Sequence, residues 1–311
     1  MDNSETGRPA AVITGASSGI GRATATALSA DGWNLVLVAR AEASLTAAAA
    51  QCSAAGADTL VLTADVGNQS EVDAVFDIAS ARFGRIDAVV HTAAAVGYGR
   101  FEDIPAEIFD RVITTNLLGT ANVARAALQH FSRHGGGSLV LMGSLLGKIA
   151  VPFMSPYVTS KWGVHALARM LQIEARQTPG VRISLISPGS VNTPAYSQAA
   201  NYLGRQGRPP PPVDPPEKVA RAVLRVLRAP ARDRSVGTAN HVVVLGFRLL
   251  PAVFDVLVSP LMKIGGLSRT AIELTTGNVL HPHPAGDAEH GRWDRLGRSK
   301  GSVGRPLRRK P

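Results

Sequence analysis

The sequence contains a single cysteine, Cys52, among 311 residues. That excludes a framework of internal disulfides and makes a reducing cytoplasm the expected compartment. Long apolar runs are also missing. The most apolar stretch, His241 to Leu267, is broken by Arg248, Pro251, Asp255, Pro260 and Lys263. A spanning helix needs about 20 nearly continuous apolar residues, so none is expected there. The opening residues, MDNSETGRPA, have no apolar centre, and no signal peptide is expected. Aromatic residues are scarce around the basic run Arg305, Arg308, Arg309 and Lys310, so no specific nucleic-acid site is indicated.

The composition is 45% apolar and 18% charged, that of a soluble globular chain with ample core. The net charge of +10 is unevenly placed. Residues 1–200 hold 14 of the 33 Lys and Arg and 15 of the 23 Asp and Glu, leaving 19 and 8 for residues 201–311. The basic character therefore belongs to the C-terminal third.

Short apolar runs alternate with helix-length segments. Strands are expected at Ala10–Thr14, Asn34–Ala39, Thr59–Thr63, Ile86–Val90, Ser138–Met142 and Arg182–Ile186. Helices are expected at about 22–30, 43–55, 69–83 and from Ser155, with one long helix over Pro105–Phe131. Such alternation points to an α/β fold, a doubly wound parallel sheet in a Rossmann-like three-layer arrangement, here with a C-terminal helical extension. Ligands bind at the carboxyl ends of such strands. The first strand runs into Thr14-Gly15-Ala16-Ser17-Ser18-Gly19-Ile20-Gly21, a glycine turn that opens a helix and lets backbone N–H groups approach a pyrophosphate. The second strand ends Ala39-Arg40. An acidic residue at that tip would favour a free ribose 2′-hydroxyl, whereas Arg40 suits a 2′-phosphate, so NADP(H) is expected over NAD(H).

On the helix from Ser155, Tyr157 and Lys161 are four residues apart and share a face. An ammonium beside the phenol is expected to lower the Tyr157 pKa towards neutrality, as a general acid or base requires. Ser144 follows an apolar run and could polarise a substrate oxygen.

These residues together resemble the short-chain dehydrogenase/reductase family over about residues 8–230. The resemblance rests on TGASSGIG at Thr14–Gly21, Asp65-Val66, Asn116, Ser144, Tyr157, Lys161 and Pro188-Gly189 with Val191 and Thr193. It implies a catalytic four of Asn116, Ser144, Tyr157 and Lys161. Tyr157 would exchange a proton with the substrate oxygen, Ser144 would orient that oxygen, and Lys161 would tune Tyr157 and hold the nicotinamide ribose. Asn116 would anchor a water linking Lys161 to solvent. The implied cofactor contacts are Thr14, Gly15, Ser17, Ser18, Gly19, Ile20, Gly21, Arg40, Asp65, Val66, Thr92, Ala93, Asn116, Tyr157, Lys161, Pro188, Gly189, Val191 and Thr193. The reaction implied is hydride transfer between a nicotinamide and a small-molecule carbonyl or secondary alcohol. A homo-oligomer packed through the helices bearing Asn116 and Tyr157 is also implied. The family's Asn-Asn-Ala-Gly is here His91-Thr92-Ala93-Ala94. Ala94 narrows backbone freedom beside the cofactor, and His91 reads as a structural strand-end residue.

Likeness fades after Pro194. The expected divisions are a flexible N-terminus at 1–8, the catalytic domain at 9–240, an apolar extension at 241–280 and a basic, disordered tail at 281–311. Tyr196 and Tyr202 are candidates to touch substrate. The segment His241–Leu267 reads as a helical hairpin over the substrate pocket, a subunit contact, or an interfacial element giving peripheral membrane contact. Its apolarity suggests an apolar substrate. A non-catalytic regulatory protein on the same fold, a membrane-surface protein, and a reductase of carrier-bound thioester ketones are the alternatives.

Overall fold

The computed structural model describes residues 7–299. Seven strands form one sheet: β1 (Ala10–Thr14), β2 (Asn34–Ala39), β3 (Thr59–Thr63), β4 (Ala88–His91), β5 (Gly137–Met142), β6 (Val181–Pro188) and β7 (Arg234–Val236). Their order is β7-β6-β5-β4-β1-β2-β3, and every pairing is parallel. The central strands are apolar on both faces because helices cover both. Ala11, Val12, Ile13, Leu35, Leu37, Val89 and Val90 are wholly buried. Each large side chain so buried contributes about 1.5–3 kcal/mol.

One layer consists of α1 (Gly19–Ala30), α2 (Glu42–Ala54) and, packed on α1, a later helix at Pro216–Arg228. The other layer contains α3 (Gln69–Phe83), α4 (Ala106–Ile113), α5 (Gly119–Arg133) and α6 (Ser155–Glu174). Taken in chain order, Pro216–Arg228 is α7. It buries Val219, Val223, Val226 and Leu227 while Arg221, Arg225 and Arg228 stay in solvent, the stripe expected of an amphipathic helix. The expected long helix over Pro105–Phe131 is not continuous. A five-residue π-helical turn, Thr114–Leu118, separates α4 from α5 and contains Asn116. Such turns widen the backbone locally and recur at functional sites.

Beyond the sheet, α8 (Asn240–Leu249) and α9 (Pro251–Leu261) are joined through Leu250 as a short helix pair, the hairpin of the C-terminal extension, with Phe247 edge-on to Phe254 at 5.1 Å. No helix among the described residues is long and apolar enough to cross a membrane. Of the expected disordered tail, residues 281–299 lie in contact with the rest of the fold. This stretch has almost no apolar periodicity, but its backbone bonds to the sheet domain: Gly291 N–H donates to the Asn192 carbonyl at 3.0 Å and Val213 N–H to the Arg295 carbonyl at 3.0 Å. Trp293, 7% exposed, pins it. The basic run Arg305–Lys310 and residues 1–6 of the expected flexible N-terminus lie outside the described residues.

Candidate functional site

The order β3-β2-β1-β4 reverses the direction of winding at β1 and β4, and a cavity of about 740 Å³ opens at the carboxyl ends of these strands. Its floor is the glycine turn. Gly15 has φ +71°, and a Cβ on Gly21 would stand 2.1 Å from the Gly15 carbonyl oxygen and 2.6 Å from Thr92 Oγ1. Only glycine lets α1 come this close to β1 and present its N-terminal N–H groups to the cavity.

Of the residues expected at a cofactor, Gly15, Ser17, Ser18, Gly19, Ile20, Gly21, Arg40, Asp65, Val66, Thr92, Ala93, Tyr157, Lys161, Pro188, Gly189, Val191 and Thr193 line this one cavity, with Ser144 beside Tyr157. Thr14 and Asn116 do not. Thr14 Oγ1 lies 2.7 Å from His91 Nδ1, across the β1–β4 register that pairs the two residues. His91 is buried and its pKa falls to about 3, first through burial and then through the charge of Lys161. It is the structural strand-end residue the sequence suggests. Thr92 Oγ1 donates to the Thr14 carbonyl at 2.7 Å. Ala94 is accommodated without strain, because among the described residues Phe153 alone of the non-glycines has positive φ.

Lys161, 3% exposed, donates from Nζ to the Met142 carbonyl at the end of β5, 2.8 Å away, and lies 5.7 Å from the centre of the Tyr157 ring. Burial lowers its pKa to about 8. The expectation of a lowered Tyr157 pKa is corrected. Burial raises it, and the hydrogen bond with Ser144 pulls the other way without prevailing. The ammonium is engaged by a backbone carbonyl and the phenol is buried, so desolvation sets the direction.

Asn116 is wholly buried. Its Oδ1 accepts from Ala95 N–H at 2.7 Å, and its Nδ2 donates to the Ala95 carbonyl and to Ser160 Oγ, both at 2.9 Å. The side chain therefore ties the π-helical turn to the strand-end loop after β4 and to α6, and it holds the helix of Tyr157 and Lys161 in register with the sheet.

Several residues at the site escaped the sequence reading. His165 Nε2 reaches the Ser144 carbonyl at 3.1 Å, and burial lowers its pKa. It is four residues beyond Lys161 on the same face of α6, a signal that was present in the spacing. Arg111 forms an ion pair with Asp65, whose other oxygen accepts from Gly67 N–H at 2.9 Å. Burial opposes ionisation of Asp65, but these bonds and the charges of Arg111 and Arg40 hold its pKa below the usual value. No local pattern announces Arg111, which is 46 residues from its partner. Tyr98, which the sequence did not suggest, lines the cavity beside Tyr157 together with the expected Tyr196, and burial raises the pKa of both. Tyr202 does not line it, a correction to the expected substrate contact. It packs instead on Ile104 and Ile108.

Over the tyrosines the cavity wall is supplied by the hairpin, through Leu250, Val253, Phe254, Leu257, Val258 and Leu261. The arrangement joins a polar, helix-terminus end suited to a dinucleotide with an apolar end where a phenol, a hydroxyl and an ammonium converge. The donor set and the glycine cradle fit a nicotinamide dinucleotide.

A family model described as short chain dehydrogenase matches residues 9–202. The chain is similar to an uncharacterized oxidoreductase, YxnA, of Bacillus subtilis (strain 168), being 33% identical over 255 residues, 81% of this chain and 71% of that protein. Among solved structures it is similar to an alcohol dehydrogenase from the archaeon Thermococcus sibiricus complexed with 5-hydroxy-NADP. That likeness has 31% identity and a TM-score of 0.64, covering 74% of this chain and 95% of the other. It is also similar to a variant of the actinorhodin polyketide ketoreductase with NADPH, with 25% identity and a TM-score of 0.66, covering 75% and 97%.

Proposed function

The chain belongs to the short chain dehydrogenase family of oxidoreductases acting on CH–OH and C=O groups, and on that premise we propose an NADP(H)-preferring enzyme for an apolar carbonyl or secondary alcohol. The observation that carries this reading is the convergence of Ser144, Tyr157 and Lys161 at the apolar end of the cavity that begins at the glycine turn. A bound nicotinamide supplies or takes the hydride.

Ser144 hydrogen-bonds the substrate oxygen and fixes its orientation. Tyr157 gives that oxygen a proton in reduction, or takes one in oxidation. The buried phenol, its pKa raised by that burial, is protonated and can donate. Lys161 holds positive charge beneath the phenol and stabilises the phenolate as the proton leaves. His165 fixes the Ser144 loop from below. The hairpin residues exclude water and accept an apolar substrate.

The preference for the 2′-phosphate is supported by Arg40 at the tip of β2, where no acid stands. A homo-oligomer is supported by Trp162, Met170 and Ile173, which are exposed on α6, and by Leu118, exposed at the end of the π-helical turn. Peripheral contact with a membrane surface is supported by the exposed Val242, Leu245, Leu249, Val256 and Ile264 on and after the hairpin. A cytoplasmic location is supported by the sole cysteine being a buried free thiol.

The test is a titration with NADPH and NADH followed by a carbonyl panel, each with Tyr157→Phe alongside. The expected outcome is NADPH bound in preference, with turnover that falls by about 10²–10⁴-fold in Tyr157→Phe while NADPH affinity is kept. Tight binding without turnover on any carbonyl would replace this reading with a regulatory one. Equal losses of NADPH and NADH affinity in Arg40→Ala would remove the assignment of the 2′-phosphate.

A further inference from the structure

The two groups best placed to hold an anion in the dinucleotide crevice are already donating, and both donate to one segment of chain. Arg40 reaches the carbonyl oxygens of Asn278 and Val279, the latter at 3.1 Å. Gly19 N–H, the first donor of α1, reaches the Ala288 carbonyl at 2.8 Å. The segment between these contacts passes over the cavity. Asn278, Pro282, His283 and Asp287 line it from one side, while Gly15 and Asp65 line it from the other. The segment therefore roofs the space and does not fill it.

Its two ends carry its apolar anchors, and its middle is held by polar contacts. At one end Val279 is wholly buried against Ile104 and Ile108. At the other, Trp293 stands edge-on to Tyr196 at 6.3 Å and its N–H donates to Asn192 Oδ1 at 3.0 Å. Gly291 lies so close to the loop after β6 that a Cβ there would stand 2.5 Å from the Thr193 carbonyl oxygen. Between the anchors, residues 281–286 are exposed. The crossing is held by Gly19 N–H, by the Gln198 amide, which donates to Asp287 Oδ1 at 3.0 Å and to the His283 carbonyl at 3.4 Å, and by the exposed His290 Nε2–Glu217 Oε1 pair at 2.6 Å. A segment with exposed hydrogen bonds and little apolar contact is one that opens at low cost.

We propose that residues 278–293 form a strap that closes over the dinucleotide crevice and opens each time the cofactor is exchanged. The proposal rests on the cofactor reading given above. Carbonyl oxygens are weaker acceptors for Arg and helix N-terminal donors than phosphate oxygens are. An entering dinucleotide phosphate therefore competes for Arg40 and Gly19 N–H and loosens the crossing. Once it is seated beneath, the anchors at Val279 and Trp293 let the strap return. The strap governs the rate of exchange, and it leaves the Tyr157 chemistry untouched.

Stopped-flow fluorescence of NADPH gives association and release rates for the full chain, for a chain ending at Leu280, and for Trp293→Ala. The shortened chain keeps Val279 and the partners of Arg40, whereas Trp293→Ala keeps the whole strap and loosens one anchor. Both variants are expected to release NADPH on the order of tenfold faster, since changes within one complex fall mainly on the release rate. Release rates within about twofold of the full chain, in a Trp293→Ala protein that still melts cooperatively, would overturn the strap and leave the cofactor reading standing. If none of the three proteins binds NADPH or NADH, the cofactor reading fails and the strap falls with it.

Discussion

Between Ala10 and Val236 the chain buries both faces of a seven-stranded sheet, whereas α9 has no buried residue at all and α8 buries only Asn240. The first region is held by its own core. The second is held by where it lands: on the rim of the cavity, on the loop after β6 and on the glycine turn. Local conformation in the sheet follows from pattern, because alternating apolar segments can satisfy themselves only as a two-sided parallel sheet. In the C-terminal part, conformation follows from single long-range contacts that leave no period in the sequence.

This contrast can be broken or sharpened by substitution. The largest effect is expected at the glycine turn. In Gly21→Val the new side chain meets the Gly15 carbonyl and Thr92 Oγ1, so the sheet region should lose about 1–3 kcal/mol or more, with cofactor affinity lost alongside. Thermal unfolding and NADPH titration of the variant measure both. An unchanged melting temperature would show that the turn is looser than the packing requires.

Acid is the next lever, and it too acts on the sheet region. Burial lowers His91 to about 3 and His130, with help from His134, to about 4. In the unfolded chain both titrate near 6.5, so between about pH 6.5 and 4 the unfolded state binds more protons than the native one. Stability should therefore fall as pH falls through that window, and His91→Asn should flatten the fall. Melting temperatures across the window decide it. A profile identical to that of the full chain would mean that His91 is not held neutral.

The smallest effect is expected on the hairpin. Val256 is 73% exposed, so Val256→Ser should change stability by no more than about 0.5 kcal/mol. A loss well beyond that in thermal unfolding would show that the hairpin is part of the core after all.

The strands were legible up to β6, as was the shared face of Tyr157 and Lys161, because each depends on spacing along one element. Strand β7, three residues long, was too short to register, and it exists because its backbone pairs with β6. The continuous helix expected through Asn116 was wrong for a related reason. The residues all favour a helix, and the π-helical turn is set by the bonds of Asn116 to Ala95 and Ser160, which are 21 and 44 residues away. The direction of the Tyr157 pKa was misread because spacing reveals a neighbouring ammonium but not how dry the wall around the phenol is. Residues 281–299 look unstructured by composition, since Gly, Pro and charge give no periodic core. Their order comes from Trp293 and from backbone groups that every sequence possesses.

The contact between Gly19 and Ala288 also has a temporal meaning. The ribosome makes the glycine turn at Gly19 well before its cover at Ala288. At about 5–20 residues per second, the interval is on the order of ten to fifty seconds. Between synthesis of the loop after β6 and of Ala288 a nascent chain has its crevice lined but not covered. On the strap proposal, a dinucleotide that arrives in that interval displaces nothing, whereas any later one meets the strap.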